Sequence, residues 1–156
     1  MLKRHLLSIK LLCFIAAALC ASATQAAGEP QKKEAVRIVD AAVEMGKNSG
    51  TEAMLAEINN PKGRFIKGEI YAFAYDISAG KVVAHPLKKD VIGKTVITHA
   101  DVDGKLYRKA IIDGAVSKGS GWEDYVSKNP ANGAFEHKTV YYKRAGDYVV
   151  GAGVYR

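Results

Sequence analysis

The sequence predicts an α+β domain, a long N-terminal helix packed on a five-stranded antiparallel sheet. Three observations carry this. Hydrophobic spacing changes from three-and-four to two at Glu69. The elements run helix, two strands, helix, three strands, a segregated order that disfavours a parallel sheet. Turn-rich segments as short as Ala145-Gly146-Asp147 separate consecutive strands, which favours antiparallel neighbours. At 156 residues and 48% hydrophobic, the chain suits one compact domain and carries enough apolar surface to exclude disorder.

Val36, Val39, Val43 and Gly46 recur at the spacing of one helix face, so a helix starts near Glu34. Asn48-Ser49-Gly50 interrupts it, Thr51 to Ile58 continues it, and Asn59-Asn60-Pro61-Lys62-Gly63 stops it. The helix surface left uncovered by a small sheet suggests weak self-association into a homodimer. From Glu69, Tyr71, Phe73 and Tyr75 alternate with Ile70, Ala72 and Ala74, the pattern of a strand with two different faces. Asp76 to Gly80 turns the chain, Lys81 to His85 returns, and Pro86 ends the hairpin. Pro86 to Asp103 reads as a long loop, of the kind that often carries binding function. Gly104 to Lys118 has helical spacing; Trp122 to Ser127, Lys138 to Arg144 and Tyr148 to Tyr155 are three further strands.

The first 27 residues read as a secretory leader: Lys3, Arg4 and Lys10, an apolar core from Leu11 to Leu19, then small residues. Cleavage sites precede Thr24 and Gly28, leaving 28–156 as a single domain in the periplasm or outside the cell. The apolar core is shorter than the roughly 20 residues that span a bilayer. Both cysteines, Cys13 and Cys20, lie in the leader, so the mature domain has no disulfide, thiol nucleophile or cysteine metal ligand. Lys3, Arg4 and Lys10 also supply three of the seven net positive charges, leaving +4. A mild excess without an arginine-rich run suits small anions and argues against nucleic acid.

Catalytic motifs are missing. No G-x-S-x-G elbow, phosphate loop or dinucleotide fingerprint is present. Asp101-Val102-Asp103-Gly104 resembles the start of a calcium loop, but its alignment places His99 and Ala110 where carboxylates belong, so it reads as a turn. His85, His99 and His137 are far apart, and the sequence implies neither a metal nor another cofactor. What stands out is a set of aromatic and donor groups: Tyr71, Phe73, His85, Trp122, Tyr125, Lys138 and Tyr141. Lysine offers a point charge to a carboxylate, tyrosine, histidine and tryptophan offer directed donors, and phenylalanine packs a carbon tail. The expected ligand-binding residues are therefore Phe73, His85, Trp122, Tyr125 and Lys138. Strict alternation puts Trp122 and Tyr125 on opposite faces of their strand, so both reach one pocket only through a bulge or a shared rim.

The motifs taken together resemble the single Cache domain, type 2, an extracytoplasmic sensor module with a PAS-like fold. The likeness runs from Gly50–Asn59 and Gly63-Arg64-Phe65 through Ile70–Phe73, Val82–Pro86, Ile92-Gly93-Lys94 and Asp101–Lys105. It continues through Gly119–Tyr125, Asn129-Pro130, Lys138–Tyr141 and Gly151–Tyr155. The resemblance implies a ligand cavity on the sheet face away from the long helix, small organic anions such as short carboxylates as ligands, and no enzymatic activity. It also implies a membrane receptor or sensor kinase as partner. Because the sequence stops at Arg156, directly after the last strand, a free binding protein or accessory subunit is expected. Two alternatives remain at this stage: a haem-binding sensor using His85, His99 or His137, and a protein-interaction module without a small ligand.

Overall fold

The computed structural model describes the backbone of residues 8–156 and the side-chain surroundings of residues 28–156. The expected leader, Met1–Ala27, lies outside the residues described in full. Helix α1 spans Ser8–Ser49 and α2 spans Thr51–Ile58. Strands β1 (Ile66–Lys67), β2 (Ile70–Asp76) and β3 (Lys81–Ala84) follow, then a short 3₁₀ turn at Lys89–Val91 and helix α3 (Tyr107–Lys118). Strands β4 (Ser120–Lys128), β5 (Phe135–Ala145) and β6 (Tyr148–Tyr155) complete the chain. Among the described residues no helix is long and apolar enough to cross a membrane.

All strand pairs are antiparallel. The order is β1-β2-β6-β5-β4, with β3 beside the end of β2 that β1 leaves free. The expected five strands are present, and the two-residue β1 is an addition too short to show a period. The β5–β6 hairpin closes through Gly146-Asp147 with Ala145 paired to Tyr148. Gly146 has φ 63° and among the described residues no non-glycine residue has positive φ, the sign pattern of a II′ hairpin turn.

The two sheet faces hold different cores, as the alternation in β2 predicts. Ala72, Ala74 and Ala152 are small enough for the helices to approach, and Ala35, Ile38, Val39, Ala42 and Val43 of α1 pack there with Met54 and Ile58 of α2. The buried stripe of α1 is rotated from the expected one, with Val36 at its margin, because three-and-four spacing from Ala35 puts more apolar surface against the sheet. Gly46 belongs to the contact: a Cβ there would lie 2.9 Å from the Met54 sulfur. On the other face, Tyr71, Phe73, Tyr75, Val140, Tyr142 and Val149 pack with Val82, Val96 and Tyr125 and with Tyr107, Ile111, Ile112 and Ala115 of α3.

Helix α3 starts at Tyr107, three residues later than its apolar spacing suggests. Asp101 holds the preceding segment as a turn, its Oδ1 accepting from the Asp103 and Lys105 backbone N–H groups. Its Oδ2 accepts from Val126 N–H at 3.0 Å, which ties the loop to the outer strand β4.

Candidate ligand cavity

Between the aromatic sheet face, the Pro86–Leu106 loop and α3 lies a cavity of about 100 Å³. A water molecule occupies about 30 Å³ of liquid and drug-sized pockets run to roughly 300–1,000 Å³, so this one suits a ligand of a few heavy atoms. Strand β2 contributes Tyr71, Phe73 and Tyr75, β4 contributes Tyr125 and Ser127, and β5 contributes Lys138. The β3 end and the loop after it supply Val82, His85, Lys88, Val91 and Val96, and α3 supplies Tyr107 and Arg108.

Register explains why these side chains converge. Tyr125 lies opposite Lys138 across β4–β5, and Lys138 lies opposite Tyr155 across β5–β6, a row on the cavity face. Two glycines on the same face of β6 make room for their neighbours. A Cβ on Gly151 would stand 2.7 Å from the Phe73 ring, and one on Gly153 would stand 2.5 Å from Lys138 Cε. Approaches that close would force the neighbouring side chains to shift, so the Gly151-Ala152-Gly153 run is what lets Phe73 and the Lys138 stem lie across β6.

Lys138 is 3% exposed, and its ammonium donates to the Tyr71 hydroxyl at 3.2 Å and the Tyr155 hydroxyl at 3.5 Å. It also lies 4.6 Å and 4.5 Å from the centres of those two rings. Burial, and secondarily the charge of Lys88, push its pKa down to about 7. His85 is placed by Asn59 at the end of α2, whose Oδ1 accepts the His85 backbone N–H at 3.0 Å. The His85 Nδ1 accepts from the Leu87 and Lys88 backbone N–H groups at 3.2 and 3.0 Å. The ring proton therefore sits on Nε2, which is left as a donor. Burial first, then the charges of Lys138 and Lys88, push His85 down to about 4, so the imidazole is neutral at ordinary pH.

Among the described residues three basic side chains, Lys88, Arg108 and Lys138, line the cavity and no carboxylate does. Arg108 is held by the face of Tyr107, 4.3 Å from the ring centre, and by the His99 carbonyl at 3.4 Å. Tyr107 and Tyr125 stack at 3.7 Å and 5°, which fixes α3 over β4. Burial raises the pKa of Tyr71, Tyr75, Tyr107 and Tyr125, so these hydroxyls stay protonated and can donate. Cations and neutral donors without a competing carboxylate make a site for an anion.

Four of the five expected site residues, Phe73, His85, Tyr125 and Lys138, meet at this cavity. Trp122 does not. It is 40% exposed on the opposite face of β4, paired with Tyr141 at 5.3 Å between rings and 5.9 Å from the Lys32 ammonium. No bulge interrupts the β4–β5 register from Ser120 to Lys128, so alternation separates Trp122 from Tyr125. Sequence reasoning missed Tyr75, Lys88, Tyr107, Arg108 and Ser127 as cavity residues. Tyr75 and Ser127 follow from continuing the period of two from Phe73 and Tyr125, whereas Lys88, Tyr107 and Arg108 arrive by tertiary folding. Haem does not fit here: the cavity is far smaller than a macrocycle, and His99 and His137 are exposed on the surface. Among the described residues no group of three His, Cys, Asp or Glu side chains is placed to hold a metal ion.

Comparison with known proteins agrees with this architecture. The profile of the Cache domain matches residues 39–156. A search of curated proteins finds no matching relative. A methyl-accepting chemotaxis protein from Vibrio parahaemolyticus superposes with a TM-score of 0.70 at 24% identity, covering 86% of this chain and 95% of that one. The periplasmic sensor domain of a chemotaxis protein gives 0.64 at 21% identity over 86% and 96% of the chains. A Cache chemosensory domain described for its carboxylic acid recognition gives 0.60 at 21% identity over 98% and 99%. With three quarters of its length matched by the profile, and with the fold shared, this chain belongs to the Cache domain family of non-catalytic sensing domains.

Proposed function

We propose that this Cache domain binds a small organic anion, a short carboxylate, in the cavity beneath α3, and does so outside the cytoplasm after removal of its N-terminal leader. The observation that carries the reading is the cavity's charge balance: the cations Lys88 and Arg108 and the basic amine of the buried Lys138 face a space of about 100 Å³ that, among the described residues, no carboxylate lines. In the proposed pose the carboxylate meets the Lys138 ammonium and accepts from Tyr125 and the His85 Nε2–H, and Phe73 covers the carbon end. A fold relative described for carboxylic acid recognition supports this choice of ligand class. The bound anion would be reported to a partner such as a chemoreceptor or sensor kinase.

Thermal unfolding with a panel of acetate, propionate, lactate and pyruvate tests the reading. A ligand at a hundred times its Kd stabilises the native state by about 2.7 kcal/mol, so the preferred acid should raise the melting temperature by several degrees. Uncharged amides of the same acids should have little effect. A flat response to every acid at millimolar concentration would refute it. Intact-mass measurement of periplasmic material should show a chain starting at Thr24 or Gly28, and a chain retaining Met1 would contradict export with cleavage.

A further inference from the structure

Lys138 is placed to act as a nucleophile as well as a charge. Buried lysines become nucleophilic when desolvation or a neighbouring cation removes their proton. Lys138 has both features: it is 3% exposed, and Lys88 lines the same small cavity. Its polar neighbours are the Tyr71 and Tyr155 hydroxyls, not a carboxylate that would fix its proton. Burial and Lys88 together bring it down to about 7, so a large share of the amine is neutral near neutral pH. Two further cations, Lys88 and Arg108, remain on the wall to hold a carboxylate while the Lys138 amine meets a different part of the ligand.

We propose that the Lys138 amine captures 2-oxo acids reversibly as an imine within the cavity. This rests on the carboxylate reading above and narrows it to acids with a carbonyl beside the carboxylate. The Nζ lone pair attacks the keto carbon, forming the C–N bond as the C=O π pair moves to oxygen. One nitrogen proton passes to that oxygen, with the Tyr71 or Tyr155 hydroxyl within reach to carry it, giving a carbinolamine. The carbinolamine hydroxyl then leaves with the second nitrogen proton as one water molecule, and the C=N bond closes. No oxidant or reductant takes part, and addition of water reverses each step, so the ligand is released intact.

The test is reductive trapping. The full domain is incubated with pyruvate and sodium cyanoborohydride near neutral pH, and the labelled lysines are identified by peptide mass spectrometry. The inference expects Lys138 to be labelled at least roughly tenfold faster than the exposed Lys81 and Lys118. Labelling of Lys138 should be suppressed by excess propionate, a control that needs no variant, and lost in Lys138→Arg. Labelling no faster than at the surface lysines overturns the inference. Calorimetric titration without reductant separates the two readings. If pyruvate and propionate both bind but Lys138 is not trapped, the covalent step falls and the anion site stands; if neither binds, the anion site falls and the covalent step with it.

Discussion

Lys138 determines how the cavity responds to pH. In the unfolded chain a lysine keeps its proton to about 10.4, whereas in the ligand-free fold Lys138 releases it near 7. Between those values the unfolded state binds more protons, so stability of the ligand-free protein rises with pH across this window. An anion beside Lys138 favours its charged form. Binding above pH 7 therefore takes up a proton, and affinity should fall by up to about tenfold per pH unit there while staying level just below pH 7. Calorimetry in buffers of different ionisation enthalpy should find proton uptake near zero at about pH 6 and approaching one at about pH 8.5. His85 acts at the other end. Its folded value of about 4 lies below the unfolded 6.5, so the stability tied to its neutral ring is present above 6.5 and is lost as pH falls through 4. Lys138→Met should separate stability from binding: removing a buried amine that no carboxylate neutralises should raise the melting temperature of the ligand-free protein. The same change should lower carboxylate affinity by about 1.5–3 kcal/mol, roughly tenfold to a hundredfold.

At the scale of elements, β6 holds the cavity open by having no side chains at Gly151 and Gly153. Gly153→Ala forces a methyl against Lys138 and Val140, and the expected cost is about 1–3 kcal/mol in chemical denaturation, with ligand affinity reduced as the Lys138 stem shifts. Trp122→Ala is the complementary case: on the far face of β4 it should leave carboxylate affinity unchanged, and a large loss would contradict the assignment of that face. These contrasts show what could be read from the sequence. Small residues at Ala72 and Ala74 against aromatics at Tyr71, Phe73 and Tyr75 announced both faces of β2, and the same alternation already separated Trp122 from Tyr125. The cationic lining was less visible, because Lys88 and Arg108 look like ordinary surface charges until a loop and a helix fold over the sheet. Lys88 is brought there by the His85 ring, which takes the backbone N–H groups of Leu87 and Lys88. Nothing in the spacing of residues 85–88 announced that contact.

Across the whole molecule, one sheet separates the face covered by α1 and α2 from the face that holds the cavity, and strand β5 touches both. Lys138 faces the cavity, while Lys143 further along the strand pairs with Asp40 of α1 at 2.8 Å. Lys138 also contacts Tyr155, and the next residue, Arg156, is held by the His137 carbonyl and by Asp124. The cavity lysine therefore touches the last residue of β6 directly. The proposed function depends on the cavity binding an anion through Lys138. Calorimetric titration of wild type and Lys138→Met with propionate and with its uncharged amide tests this most directly, each protein first shown to be folded. The expected result is one propionate bound per wild-type chain, binding at least roughly tenfold weaker for the amide, and a similar loss for propionate in Lys138→Met. Equal affinity of the two proteins for propionate, or of wild type for acid and amide, would contradict it.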